Sequence, residues 1–191
     1  MQIPTEEAFV IGTTARTPLP GQTTEGVPIF TDFLPAPELR EIADRLIRHG
    51  GAVSRLDDGQ LRIDYRWKHR GGNSAGRANI GKCVKLSGAA KHYAEGAHFL
   101  IWLAADHCEV EGFDERQIEA LLFHELLQIE PEEREDRFGN PITVYHKVWM
   151  DFDGFFAELE HYGPWNRNLQ RLEEVVRQLA LPGLEPALAA T

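Results

Sequence analysis

The chain has 191 residues, 42% hydrophobic and 26% charged, with a net charge of −10; that is enough to bury one core without staples, and its acidity argues against general affinity for duplex DNA. Cys83 and Cys108 are its only cysteines, so no disulfide framework is implied and a reducing compartment is expected. The N-terminus lacks a basic region followed by an apolar core, and no apolar run approaches the ~20 residues of a membrane span, so a soluble protein of the cytoplasm is expected.

The charge is unevenly spread: residues 1–61 carry −4, residues 62–91 carry +7 and residues 92–191 carry −13. Residues 1–33 are rich in Thr, Gly and Pro and read as an irregular arm, with one apolar stretch at Phe9, Val10 and Ile11. From Pro35 and Pro37 the apolar residues Leu39, Ile42, Ala43, Leu46 and Ile47 take helical spacing, stopped by Gly50 and Gly51. Leu61 to Trp67 alternates strictly and predicts a half-buried strand. A turn-rich loop, Arg70 to Arg77, leads to a second strand near Ala78 to Leu86, so the pattern predicts a hairpin, with the basic charge of 62–91 on it. Ala97 to Ala104 is more continuously apolar and predicts a buried strand. Strands followed by helices predict an α+β domain with a small, mostly antiparallel sheet packed against a central helix with flanking helices.

That central helix begins with Asp114 as cap and Gln117 three residues on, a capping box, and Phe113 is placed to staple onto Ile118. Ile118, Leu121, Leu122, Leu126 and Ile129 fall on one stripe of the helical wheel. Glu125 lies inside that stripe, with His124 and Gln128 together on its flank. A carboxylate in an apolar stripe needs a partner, a raised pKa or a water-lined cleft. His124-Glu125-Leu126-Leu127-Gln128 has the form of the zinc-peptidase helix motif H-E-x-x-H with its second histidine replaced. The motif works because residues four apart share a helix face and grip one metal while the glutamate acts as general base.

Beyond this helix, Pro131 to Asp136 is acidic and polar, Phe138 to Pro141 signals a turn, and Ile142 to Val148 predicts a short strand. Phe152, Phe155, Phe156 and Leu159 predict a helix ending at Tyr162-Gly163-Pro164. A last helix is predicted from about Asn166 to Ala180, before a tail. The expected organisation is an arm (1–33), a single domain (34–180) and a tail (181–191).

From Phe33 to Gly163 the sequence resembles the phage metallopeptidase family, a zincin-like group related in architecture to SprT-type zinc proteins. The resemblance rests on the first helix, Ile80-Gly81-Lys82-Cys83, the strand Phe99 to Ala104 leading through Ala105-Asp106, the His124-Glu125 helix, Met150-Asp151-Phe152-Asp153-Gly154-Phe155 and His161-Tyr162-Gly163. It implies zinc held by two helix histidines and a third before the following helix. Carried over, His124 is the first ligand and Glu125 the general base. Gln128 stands at the second ligand position and Met150 at the third. An amide is a poor zinc ligand and a thioether suits softer metals. A rebuilt site would draw on His124, His146, and Asp151 or Glu158; the last is three residues from His161, on one helix face.

With metal bound, Glu125 would take a proton from a metal-bound water that attacks a peptide carbonyl, and an extended substrate would pair along the edge of Phe99 to Ala104. The resemblance therefore implies a zinc-dependent peptide hydrolase of a bacterial or phage-infected cell, with an altered site. The alternatives are a non-catalytic binding or assembly module on the same fold, and a nucleic-acid-associated protein that uses residues 62–91.

Overall fold

The computed structural model describes residues 1–15, 26–49, 51–74, 77–150 and 155–179. In chain order, a 3₁₀ turn at Glu6–Phe9 precedes β1 (Val10–Ala15), β2 (Gly26–Phe30), β3 (Phe33–Pro35) and helix α1 (Pro37–His49). A second 3₁₀ turn, Gly51–Leu56, leads to β4 (Ile63–Lys68), the two-residue strands β5 (Asn73–Ser74) and β6 (Arg77–Ala78), and β7 (Gly81–Lys85). Then come α2 (Gly88–Tyr93), β8 (Phe99–Ala104), α3 (Ala105–Val110), α4 (Glu115–Leu127), β9 (Ile129–Glu135), β10 (Pro141–Lys147), α5 (Phe156–Tyr162) and α6 (Arg167–Leu179). The class is α+β, as expected.

The main sheet has the order β3-β4-β8-β7, with β4 and β8 parallel and the outer pairs antiparallel. This corrects the expected hairpin: β4 and β7 are separated by β8, which enters between them. The reason lies in β8 itself, where every residue but Leu100 is buried. A strand apolar on both faces belongs in the middle of a covered sheet, and half-buried strands belong beside it. The same placement corrects a second expectation, since β8 has no free edge for a substrate. The free edge beside α4 belongs to β7.

Four of the eight cations of 62–91 are engaged within the protein. Arg66 pairs with Asp64 at 2.9 Å, Lys68 lies over the Trp102 ring, Lys85 donates to the Tyr145 carbonyl at 2.6 Å, and Arg70 pairs with Glu6. Nothing in this arrangement supports a nucleic-acid surface. No described helix is long and apolar enough to cross a membrane.

One sheet face carries Ile63, Tyr65, Trp67, Phe99, Ile101 and Leu103 into a core closed by α1 and α4. α1 gives Leu39, Ile42, Ala43 and Leu46 to that core. α4 starts as expected: the Asp114 carboxylate accepts from Gln117 N–H at 2.8 Å, and the Gln117 amide accepts from Asp114 N–H at 3.1 Å. At its other end, Arg55 donates to the carbonyls of Leu127 (3.1 Å) and Ile129 (3.0 Å), neutralising the negative end of the helix on either side of Gln128. Phe9 of the N-terminal arm is fully buried in the same core.

Residues 131–135 of the acidic run, which carries no strand signal, lie in β9, paired with β10 from Ile129–Lys147 to Glu135–Pro141. Arg55→Ala should lower unfolding free energy by about 1 kcal/mol, since the guanidinium is partly exposed. Leu122→Ala, which opens a cavity in the core, should cost about 3 kcal/mol. Urea unfolding followed by circular dichroism measures both.

Candidate functional site

Glu125 and Gln128 lie three residues apart at the end of α4, 3% and 7% exposed. Gln128 is the last, still helical residue of the turn, and its Nε2 donates to the Glu125 carboxylate at 2.7 Å. A second donor reaches Glu125 from β7, the N–H of Cys83. Such an approach needs a strand without side-chain bulk in its path. Gly81 provides it, because a Cβ at that position would stand 3.0 Å from a Glu125 oxygen and 3.1 Å from Leu103. Burial pushes the Glu125 pKa up, opposed by the His124 and Lys147 charges and by the Cys83 and Gln128 hydrogen bonds.

His124 faces the other way, toward α5. Its Nδ1 donates to Glu158 at 2.6 Å, and Glu158 is 1% exposed. The other Glu158 oxygen accepts from the Trp165 indole at 2.6 Å, and Phe155 N–H approaches the carboxylate at 3.3 Å. Burial alone would lower the His124 pKa; the hydrogen bond to Glu158 and the charges of Glu125 and Glu158 outweigh it, and the net shift is upward. α5 is locked onto α4 elsewhere too, by Tyr162 donating to Glu119 at 3.0 Å and by His161 stacked on Phe123.

Around Cys83 the edge of β7 is covered by side chains from the β9–β10 hairpin. Lys147 donates to the Cys83 carbonyl at 2.7 Å, while Lys85 reaches back to Tyr145. Burial, then the nearby Glu125 charge, pushes the Cys83 thiol up to about 12, so it stays protonated and inert at neutral pH.

The structure thus brings together His124, Glu125, Gln128 and Glu158. His146 instead lies against Glu132 across β9 and β10, its Nε2 2.8 Å from a carboxylate oxygen. Met150 is 41% exposed, and Asp151 lies outside the described residues. Trp165 and Lys147 join the site with no sequence signal of their own. Among the described residues no three His, Cys, Asp or Glu side chains are grouped to hold a metal ion. With one imidazole, an amide already bonded to Glu125, and a thioether, the residues expected at the ligand positions do not suit zinc.

Residues 31–178 match the family model described as "Putative phage metallopeptidase". The chain belongs to that family, and the match spans everything from β3 to α6. No curated protein and no solved structure matches the chain.

The upward shift of His124 has a definite sign in stability. Its contribution is complete below the ordinary value of 6.5 and is lost as pH rises through the higher folded value. Glu158→Gln should therefore cost about 3 kcal/mol at pH 6, where a buried charged pair is broken. The loss should shrink as pH rises, flattening the pH profile of stability from 6.5 upward. Urea titrations at a series of pH values check it.

Proposed function

We propose that this chain is a peptide-binding member of the metallopeptidase family in which the hydrolytic zinc centre has become a hydrogen-bonded polar core. The observation that carries the reading is the pair of contacts Gln128–Glu125 and His124–Glu158. A general base needs an ionised carboxylate with access to water. Glu125 is buried, is engaged by an amide and a backbone N–H, and has its pKa raised. Gln128 helps to hold the carboxylate in this enclosure, because an amide donates a hydrogen bond to it where a metal-bound imidazole would not.

The placement of an edge strand beside the central helix supports peptide or protein segments as the partner. An extended segment adds a strand to the edge of β7 that no other strand occupies, main chain to main chain, by displacing side chains that cover it. A bound strand takes over the Cys83 carbonyl from Lys147, whose exposed, flexible side chain releases it at low cost. Two buried free thiols are consistent with a reducing cytoplasm as the place of action.

One observation favours a second reading, retained zinc-dependent hydrolysis. Nδ1 of His124 bonds to a carboxylate, the arrangement that orients metal-binding imidazoles and leaves Nε2 for the ion. Asp151 would then be the further ligand to seek. Metal analysis of protein purified without chelator separates the two. The polar-core reading expects well below one zinc per chain, no peptide hydrolysis, and close to one zinc per chain in the Gln128→His, Met150→His double variant. Stoichiometric zinc in the wild-type protein, lost in His124→Ala, overturns it in favour of the second reading.

A further inference from the structure

The main sheet has a second incomplete edge, on the side away from β7. β3 pairs with β4 only from Phe33–Lys68 to Pro35–Arg66. The chain then turns into α1, with Ala36 N–H bonded to the Tyr65 carbonyl at 3.1 Å. Odd-numbered residues of β4 turn their backbone groups to this side, as Tyr65 and His69 show by bonding to Ala36 and Asp32. The carbonyl of Arg62 instead accepts from His98 on the β8 side. By that alternation Ile63 N–H and C=O face the stretch that β3 has vacated.

A cavity of about 600 Å³ runs along this stretch. Arg40 and Asp44 of α1, Arg62, Ile63 and Tyr65 on the β4 side, and Glu95 after α2 line it, with Ile47 and Leu61 adding apolar wall. The volume is that of a small-molecule site. Arg66, also at the cavity, is neutralised by Asp64. Arg40, Asp44, Arg62 and Glu95 are exposed, two of each sign. None has a side-chain hydrogen bond or ion pair with another described residue. Glu95 holds φ 52°, the one described non-glycine residue at positive φ. It occupies a helix-ending position where glycine is usual, so the carboxylate is kept against a backbone preference.

We propose that this cavity is a second binding site, for a short zwitterionic peptide lying extended along the β4 edge. Its main chain pairs with Ile63, its carboxylate meets Arg40 and Arg62, and its ammonium meets Asp44 and Glu95. Balanced charge argues against a nucleotide or other polyanion, which an excess of cations would attract. An unpaired strand edge recognises main chain as such, and three extended residues span about 10 Å, suited to the few free positions before β3 begins. The site is independent of the central helix and of the state of any metal there.

The test uses the ¹⁵N-labelled full chain and the tripeptide Ala-Val-Ala, with free ends and with acetyl and amide blocks. The expected result is that the free tripeptide shifts the amide signals of Ile63 and its neighbours and binds about tenfold or more tightly than the blocked form. Arg62→Gln and Asp44→Asn, exposed changes on different elements, should each weaken the free peptide by a similar factor. Asp44→Asn should leave an N-acetylated, free-acid peptide unaffected. Equal affinity for free and blocked forms, no binding at millimolar peptide, or shifts confined to α4 and β7 would overturn the proposal. The last of these would place the peptide in the central cleft instead.

Discussion

Two carboxylates withdrawn from water, Glu125 and Glu158, govern the middle of this protein. A buried carboxylate without partners costs several kcal/mol, so each dictates what stands around it. Glu158 takes the His124 imidazole, the Trp165 indole and the backbone at Phe155. Glu125 takes the Gln128 amide and a backbone N–H from β7. Through these contacts the end of α4 is tied on one side to α5 and on the other to the sheet edge. None of the three elements can shift without stranding a charge.

On the proposed reading, the same ties set this helix apart from a working zinc helix. In such a helix the side chains converge on an ion, and the glutamate is left ionised at a water-accessible face. In this chain His124 is bonded to Glu158 and Gln128 to Glu125, and the amide at 128 provides the donor that makes the second pair. Gly81 and Lys147 complete the enclosure, the glycine by letting the strand approach Glu125 and the lysine by covering the next carbonyl along the edge.

Helices were legible where local chemistry and periodicity agreed. The run from Leu39 to Ile47 and the capping box of Asp114 and Gln117 both became helices close to the expected limits, because these signals act within one or two turns. β10 was legible by alternation, but its partner β9 was not. Glu130, Pro131, Glu132 and Glu133 carry no strand propensity, and the pairing is imposed by the tight turn at Asp136 to Asn140. The order of the sheet differs from the expected one for a related reason: adjacency in sequence favours a hairpin, whereas burial of β8 on both faces favours the centre. Glu158 was among the candidate ligands on spacing alone, but its role as the partner of His124 depends on α5 returning to α4. Trp165 had no pattern to announce it.

By itself the amino-acid sequence determined the α+β class, the central helix with its cap, the anomaly of a carboxylate in an apolar stripe, and membership of the metallopeptidase family. All of these depend on interactions between near neighbours or on a pattern of residue types. Only the tertiary structure decided how the anomaly is resolved. Whether Glu125 meets metal, water or an amide depends on which groups from β7, β10 and α5 arrive beside it. Those arrivals are set by sheet order and helix docking, across separations at which sequence spacing carries no geometry.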